Sequence, residues 1–252
     1  MKLLSKILLF FVCLSPLYAF AQSDLVEPTL MMRKRIQYGM NLNSAELGGL
    51  NFRYGWQKTA TVKNQLDIEL ARLRHPKEER VYGQSENPDK YTPGRINMAF
   101  FFRTGIGQNL FITDRNYKNS VSLHYNYVIG VTTALLKPIY IEVLKPSPNS
   151  PTEAIVATER YDPVVEHIFP LAIYGNAPFS RGLNEITPRL GGYFKNSLAV
   201  EWGEYPDEFK SIEAGFCIDL FPRELPLMAP ELTKNQALFF TLYLGLTFGQ
   251  NK

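Results

Sequence analysis

Apolar and polar residues alternate over most of this chain, and the longest run lies near its C-terminus. Leu238, Phe240, Leu242, Leu244, Leu246 and Phe248 fall in one phase, and Ala237, Phe239, Thr241, Tyr243, Gly245 and Thr247 in the other. Successive side chains of a strand point to opposite faces, so a period of two predicts a strand with one aliphatic wall. Residues 119–131 repeat the pattern, with Val121, Leu123, Tyr125, Tyr127 and Ile129 against Ser120, Ser122, His124, Asn126 and Gly130. Shorter alternating runs cover 35–42, 50–57, 65–70, 95–103, 139–143, 193–202 and 211–220. No segment of useful length has helical period, and no internal repeat is visible.

The turns between these runs differ in length. Residues 43–45 and 59–61 make tight links, 76–93 is a long polar loop, and 145–187 is longer still and rich in Pro, Gly and charge. Short turns on one side and long loops on the other are the habit of outer-membrane barrels. The fold predicted is therefore all-β, a closed antiparallel up-and-down transmembrane β-barrel of 8 or 10 strands. Nine runs are counted, yet single-chain bacterial barrels close with even numbers. Either one run stands outside the barrel, or a tenth strand lies near 110–113 or 154–158.

Alternation alone does not say which face meets solvent, since a soluble ligand-binding barrel has the same period with its apolar side inward. The polar phase decides. It carries Arg35, Arg53, Arg95, Arg103 and Lys195 together with Asp67, Glu69, Glu142, Glu201, Glu213 and Asp219. The near balance of signs fits ions neutralising one another across a narrow lumen, where an unpaired charge is costly. These eleven residues and His124 are the predicted lumen lining. Trp56, Tyr54, Phe101, Phe102, Trp202 and Phe248 are placed in aromatic girdles at the membrane interfaces.

The N-terminus adds a compartment. Lys2 and Lys6 precede an apolar run over 7–14, followed by Ser15-Pro16 and Ala19-Phe20-Ala21. That is the n-region, h-region and small-x-small end of a secretory signal, with cleavage expected after Ala21 and a single barrel domain over 22–252. No uncharged stretch reaches the roughly 20 residues of a membrane-spanning helix. With the signal removed, Cys217 is the last cysteine, so no intramolecular disulfide is expected. The formal net charge of +3 is dispersed, which disfavours nucleic acid as a partner.

Several segments carry a resemblance. Residues 101–108, 121–127, Leu136-Lys137-Pro138-Ile139-Tyr140, Tyr161-Asp162-Pro163, 173–179, His75-Pro76-Lys77-Glu78 and 240–249 are similar to a family of uncharacterised outer-membrane β-barrel proteins of Gram-negative bacteria. The resemblance implies the barrel fold and an outer-membrane location, with membrane lipid and the barrel-assembly machinery as partners. It brings no substrate or catalytic residue. Such barrels often end on an aromatic residue, whereas here Phe248 is followed by four more residues.

Chemistry is sparse. His124 shares the polar phase with Ser122, so a barrel enzyme acting on envelope lipid or peptide would use these two, with Asp67 or Glu69 orienting the imidazole. No metal-ligand spacing, phosphate loop or cofactor motif is present; Gly105 and Gly107 sit inside a strand pattern, where glycine marks a bend or bulge. The 145–187 loop contains an apolar island at 168–174, read as a lid or partial plug that brings Arg160, Tyr161 and Asp162 to the lumen. The leading expectation is a non-enzymatic barrel with a structural, narrow-passage or small-ligand role.

Overall fold

The computed structural model describes residues 34–44, 46–59, 61–74, 78, 81–82, 90–113, 121–147, 150–162, 173–203 and 207–252. The proposed signal peptide lies outside them, as does most of the 168–174 island. Thirteen strands are described: β1 (Lys34–Asn43), β2 (Glu46–Gln57), β3 (Val62–Leu73), β4 (Val81–Tyr82), β5 (Lys90–Tyr91), β6 (Asn97–Thr113), β7 (Ser122–Pro138), β8 (Tyr140–Ser147), β9 (Ser150–Arg160), β10 (Ile173–Asn176), β11 (Thr187–Trp202), β12 (Glu208–Leu225) and β13 (Gln236–Asn251).

Eight of these close an antiparallel barrel in the order β1-β13-β12-β11-β7-β6-β3-β2. Closure is made by β1 against β13, from Arg35 opposite Asn251 to Asn43 opposite Tyr243. The first and last strands therefore begin and finish at the same end. That end also holds the β2–β3, β6–β7 and β11–β12 links, while the β3–β6, β7–β11 and β12–β13 connections leave from the other. The excess strand of the sequence count is resolved here. The 139–143 run is β8, which joins β9 and β10 in a separate three-stranded sheet. Residues 154–158 belong to β9, and 110–113 simply extend β6.

The aliphatic phase faces out. Leu42 is 75 % exposed and Leu242 55 %, and Leu50, Ile106, Ile129, Leu198 and Ile212 share that outer surface. Outward residues of β13 run from Leu238 to Phe248. At strand rise and a tilt near 45° these cover roughly 24 Å of height, close to the apolar band of an outer-membrane barrel. At the end where β1 begins and β13 finishes, Tyr38 stacks on Phe248 and Tyr54 lies against Trp56, both on the outer wall. The Tyr127 hydroxyl donates to Gln108 Oε1 at 2.6 Å, so its polar tip is satisfied without water.

Two predicted placements change. Phe101 is not in an outer girdle; it is fully buried inside the barrel, 5.4 Å from the Phe221 ring and 5.6 Å from Phe239. These rings join Leu73, Ala99, Leu136, Leu225, Leu227 and Met228 in an apolar cluster that fills the lumen at the loop-bearing end. Closure there comes from Leu227 and Met228 in the short β12–β13 connection. The 145–187 segment, read as a loop, contains among its described residues the end of β8 and all of β9 and β10. Arg160 and Asp162 are exposed, and Tyr161 packs with Tyr91, Ile139, Ile141 and Ile173 instead of entering the lumen.

Glycine spacing has its own cause. Gly105 of β6 stands opposite Gly130 of β7, which stands opposite Tyr193 of β11. A Cβ at Gly105 would lie 2.5 Å from the Tyr193 hydroxyl oxygen, and one at Gly130 would lie 2.8 Å from the Tyr193 ring and 2.2 Å from the Thr104 carbonyl oxygen. The pair makes room for the ring to lie flat across the inner wall. The β3–β6 and β6–β7 registers continue unbroken through Gly105, so no bulge is involved. Gly130→Val is expected to destabilise the barrel by about 1–3 kcal/mol through overpacking. Urea unfolding of the detergent-solubilised protein measures this, and an unchanged midpoint would contradict it.

Candidate functional site

The polar phase of the eight barrel strands converges on the lumen. On the inner wall the buried charged residues are Arg35, Arg53, Lys63, Arg103 and Lys195 against Asp67, Glu69, Glu201, Glu213 and Asp219. Five cations thus meet five carboxylates, and the described lumen is formally neutral.

Some pairs join neighbouring strands, as Arg53–Asp67 and Arg103–Glu69 do, and others reach across the barrel. Arg103 donates from Nε and Nη2 to the two Asp219 oxygens at 3.0 and 2.7 Å and from Nη1 to Glu69 at 2.9 Å. Arg53 donates to Asp67 at 2.6 Å and grips both oxygens of Glu213, one of them at 2.9 Å. Lys195 bonds Glu69 and stands 3.9 Å from Asp67. Glu213 also accepts from Ser197 at 2.6 Å and from Tyr243 at 2.5 Å. Multiple donors per carboxylate are what a buried charge needs to remain charged. Cys217 lies within this network, buried and 3.7 Å from Asp219, in the surroundings of an inert thiol.

A second cluster occupies the end where β1 begins and β13 finishes. Arg35 pairs with Glu201, and Glu201 lies 3.3 Å from His124 Nε2. Ser122 Oγ is 2.8 Å from the same nitrogen, and Nδ1 is 3.2 Å from Asn109 Oδ1. Asn109 donates its amide to Asn126, which turns its oxygen toward the imidazole. With Nδ1 protonated toward Asn109, Nε2 is left to accept from the Ser122 hydroxyl, the geometry of a nucleophile and its base. Both side chains are enclosed, however, at 2 % and 1 % exposure, with the Phe111 ring 4.5 Å from His124. Neither group presents an open surface to a substrate.

Of the predicted orienters, neither Asp67 nor Glu69 serves His124. Asp67 stands opposite Gly105 on β6 and His124 opposite Phe111, about 20 Å further along that strand. Asn109 takes that place at Nδ1, while Glu201 stands at Nε2, the nitrogen that faces Ser122. Two predicted lumen residues lie elsewhere. Glu142 is on β8, outside the barrel order. Arg95 precedes β6, bridges to Met228 and pairs with Glu78 at 2.9 Å. Arg35, Arg53, Asp67, Glu69, Arg103, His124, Lys195, Glu201, Glu213 and Asp219 are all buried on the inner wall. Sequence reading missed Lys63 and Asn109 because the strands run past the ends assigned to them; extending the alternation of 65–70 by two residues would have found Lys63.

No family model and no curated protein matches the chain. Solved structures resemble it in fold. Neisserial surface protein A aligns over 87 % of this chain and 96 % of its own at 7 % identity, with a TM-score of 0.41. Ail, the attachment invasion locus protein of Yersinia pestis, in complex with the heparin analogue sucrose octasulfate, aligns over 86 % and 97 % at 10 % identity, with a TM-score of 0.37. The N-terminal β-barrel domain of Pseudomonas aeruginosa OprF aligns over 86 % and 96 % at 7 % identity, with a TM-score of 0.36.

The ionic network makes a stability prediction. Arg103→Met strands Glu69 and Asp219 of one shared partner and is expected to cost about 3–5 kcal/mol. Equilibrium urea unfolding in micelles reads the loss, and a change below about 1 kcal/mol would show that these charges are hydrated rather than enclosed.

Proposed function

We propose that this chain is an outer-membrane β-barrel with a sealed, charge-neutral interior, whose role is structural, carried by its wall and its loop-bearing end, and is not that of a pore or an enzyme. The observation that carries this reading is the sorting of the two phases. Leucine, isoleucine and phenylalanine cover the exposed surface while ten ionic side chains are buried on the inner wall. In water that arrangement is unfavourable on both counts, since it leaves a continuous apolar belt hydrated and charges desolvated. In hydrocarbon the belt is solvated, and a closed barrel leaves no unpaired strand edge. The shared end of β1 and β13 then faces the periplasm, with the long connections outside.

The apolar cluster around Phe101, Phe221 and Phe239 supports a closed lumen at the outer end, and eight strands leave room for side chains only. The Ser122–His124–Asn109 chain supports the enzyme as second reading, against which stands its burial.

Membrane fractionation with heat-dependent gel mobility tests the location. The protein is expected in the outer-membrane fraction, migrating differently before and after boiling; a soluble protein of unchanged mobility would end the reading in favour of a periplasmic or secreted barrel. In planar bilayers no steady conductance is expected, and discrete channel steps would contradict the sealed lumen. His124→Ala is expected to leave envelope-lipid hydrolysis unaltered, whereas loss of an activity shown by the parent protein would favour the enzyme.

A further inference from the structure

Lys137 follows Leu135, the last apolar outward residue of β7, and is in outward phase itself, yet it is only 4 % exposed. Its ammonium lies over the Phe179 ring at 5.0 Å and 3.5 Å from the Pro138 carbonyl oxygen, and no carboxylate pairs with it among the described residues. It lines a cavity of about 280 Å³ on the outer side of β3, β6 and β7, together with Arg72, Arg95 and residues 176–179. Among the described residues Arg95 has one acidic partner, Glu78, through Nη1, and its buried Nε has no hydrogen-bond partner. Tyr140 also lines the cavity, but its hydroxyl donates to Glu185 at 2.6 Å. Three cationic side chains therefore share one small cavity whose described lining holds no Asp or Glu.

Lys137 and Arg95 are both buried, and Glu78 is the single carboxylate paired with either among the described residues, an excess of buried cationic charge that is unfavourable unless an anion joins it. Compact oxyanions suit these donors, because guanidinium N–H groups and an ammonium bond several oxygens of one centre. We propose that this cavity is a binding site for a phosphate monoester group, carried on a lipid headgroup or free in solution. It is built on the outer wall at the loop-bearing rim, where the apolar rows stop. In a bilayer that is headgroup level, and a lipid phosphate would enter sideways from the leaflet. The lumen plays no part in it, and the site does not require the membrane reading, since a free phosphate would reach the same donors from water.

The whole protein in neutral detergent, titrated with inorganic phosphate by calorimetry, gives the first arm. The second is native mass spectrometry after release from phosphatidylcholine vesicles with and without phosphatidic acid. Wild type is expected to bind phosphate, to retain phosphatidic acid over phosphatidylcholine, or both; Lys137→Gln and Arg72→Gln are each expected to weaken that binding about tenfold. Retention of phosphatidic acid alone assigns the lipid source, and binding of inorganic phosphate alone assigns the free anion. A wild-type-like far-ultraviolet circular dichroism spectrum with a cooperative thermal transition shows that each variant has folded. Absence of binding in both arms, or equal binding by wild type and both folded variants, overturns the proposal. The phosphate titration is independent of fractionation, so either reading can fail without the other.

Discussion

The rest of the structure depends on the pairing of charges inside a space closed to water. Arg35 reaches Glu201, Arg53 reaches Glu213, Lys195 reaches Glu69 and Arg103 reaches Asp219. Around the ring of eight strands each of these pairs joins strands three positions apart, so every one spans the lumen instead of a single ladder. Such pairs specify which strands face each other and in which register, because a one-residue slip would turn the charges to the apolar exterior. Backbone ladders close the barrel, and the ionic cross-ties select one closure among the possible ones.

The interior has two chemistries at two depths. Near the start of β1 and in the middle it is ionic and hydrogen-bonded; near the loops it is aromatic and aliphatic, with Phe101, Phe221 and Phe239 packed edge to face or tilted. Tyr193 lies within the ionic zone, its hydroxyl 3.4 Å from Asp67 and its ring over the Gly105–Gly130 floor. Glycine there is a requirement of close approach, since any Cβ would displace the ring that closes off the charges beside it.

Much of this was legible because strand period is strict. The inward residues Arg35, Gln37, Asn41, Asn51 and Arg53, and those from Glu213 to Asp219, have their phase written in the sequence. Depth and membership were not. Phe101 and Arg103 share one phase, and only the cross-lumen neighbours decide that one meets aromatic rings and the other meets Asp219. The run Ile139, Ile141, Val143 alternates as a barrel strand does because it too buries one face, against Tyr91 and Tyr161, and so Glu142 was drawn into the wrong wall. Partners of His124 were hidden for the same reason: Asn109 and Glu201 are brought to it by pairing of β7 with β6 and β11, which local pattern does not encode. The cationic cavity was equally invisible, since Arg72, Arg95 and Lys137 come from three separate segments.

The central claim is that the aliphatic phase meets hydrocarbon while the ionic phase is enclosed. Nitroxide labels at Leu198→Cys, Leu242→Cys and Leu244→Cys in the bilayer-reconstituted protein test it most directly. High accessibility to oxygen with low accessibility to a water-soluble nickel chelate at all three positions is the predicted result. Labels freely relaxed by the nickel chelate, or immobilised and reached by neither reagent, would contradict the account.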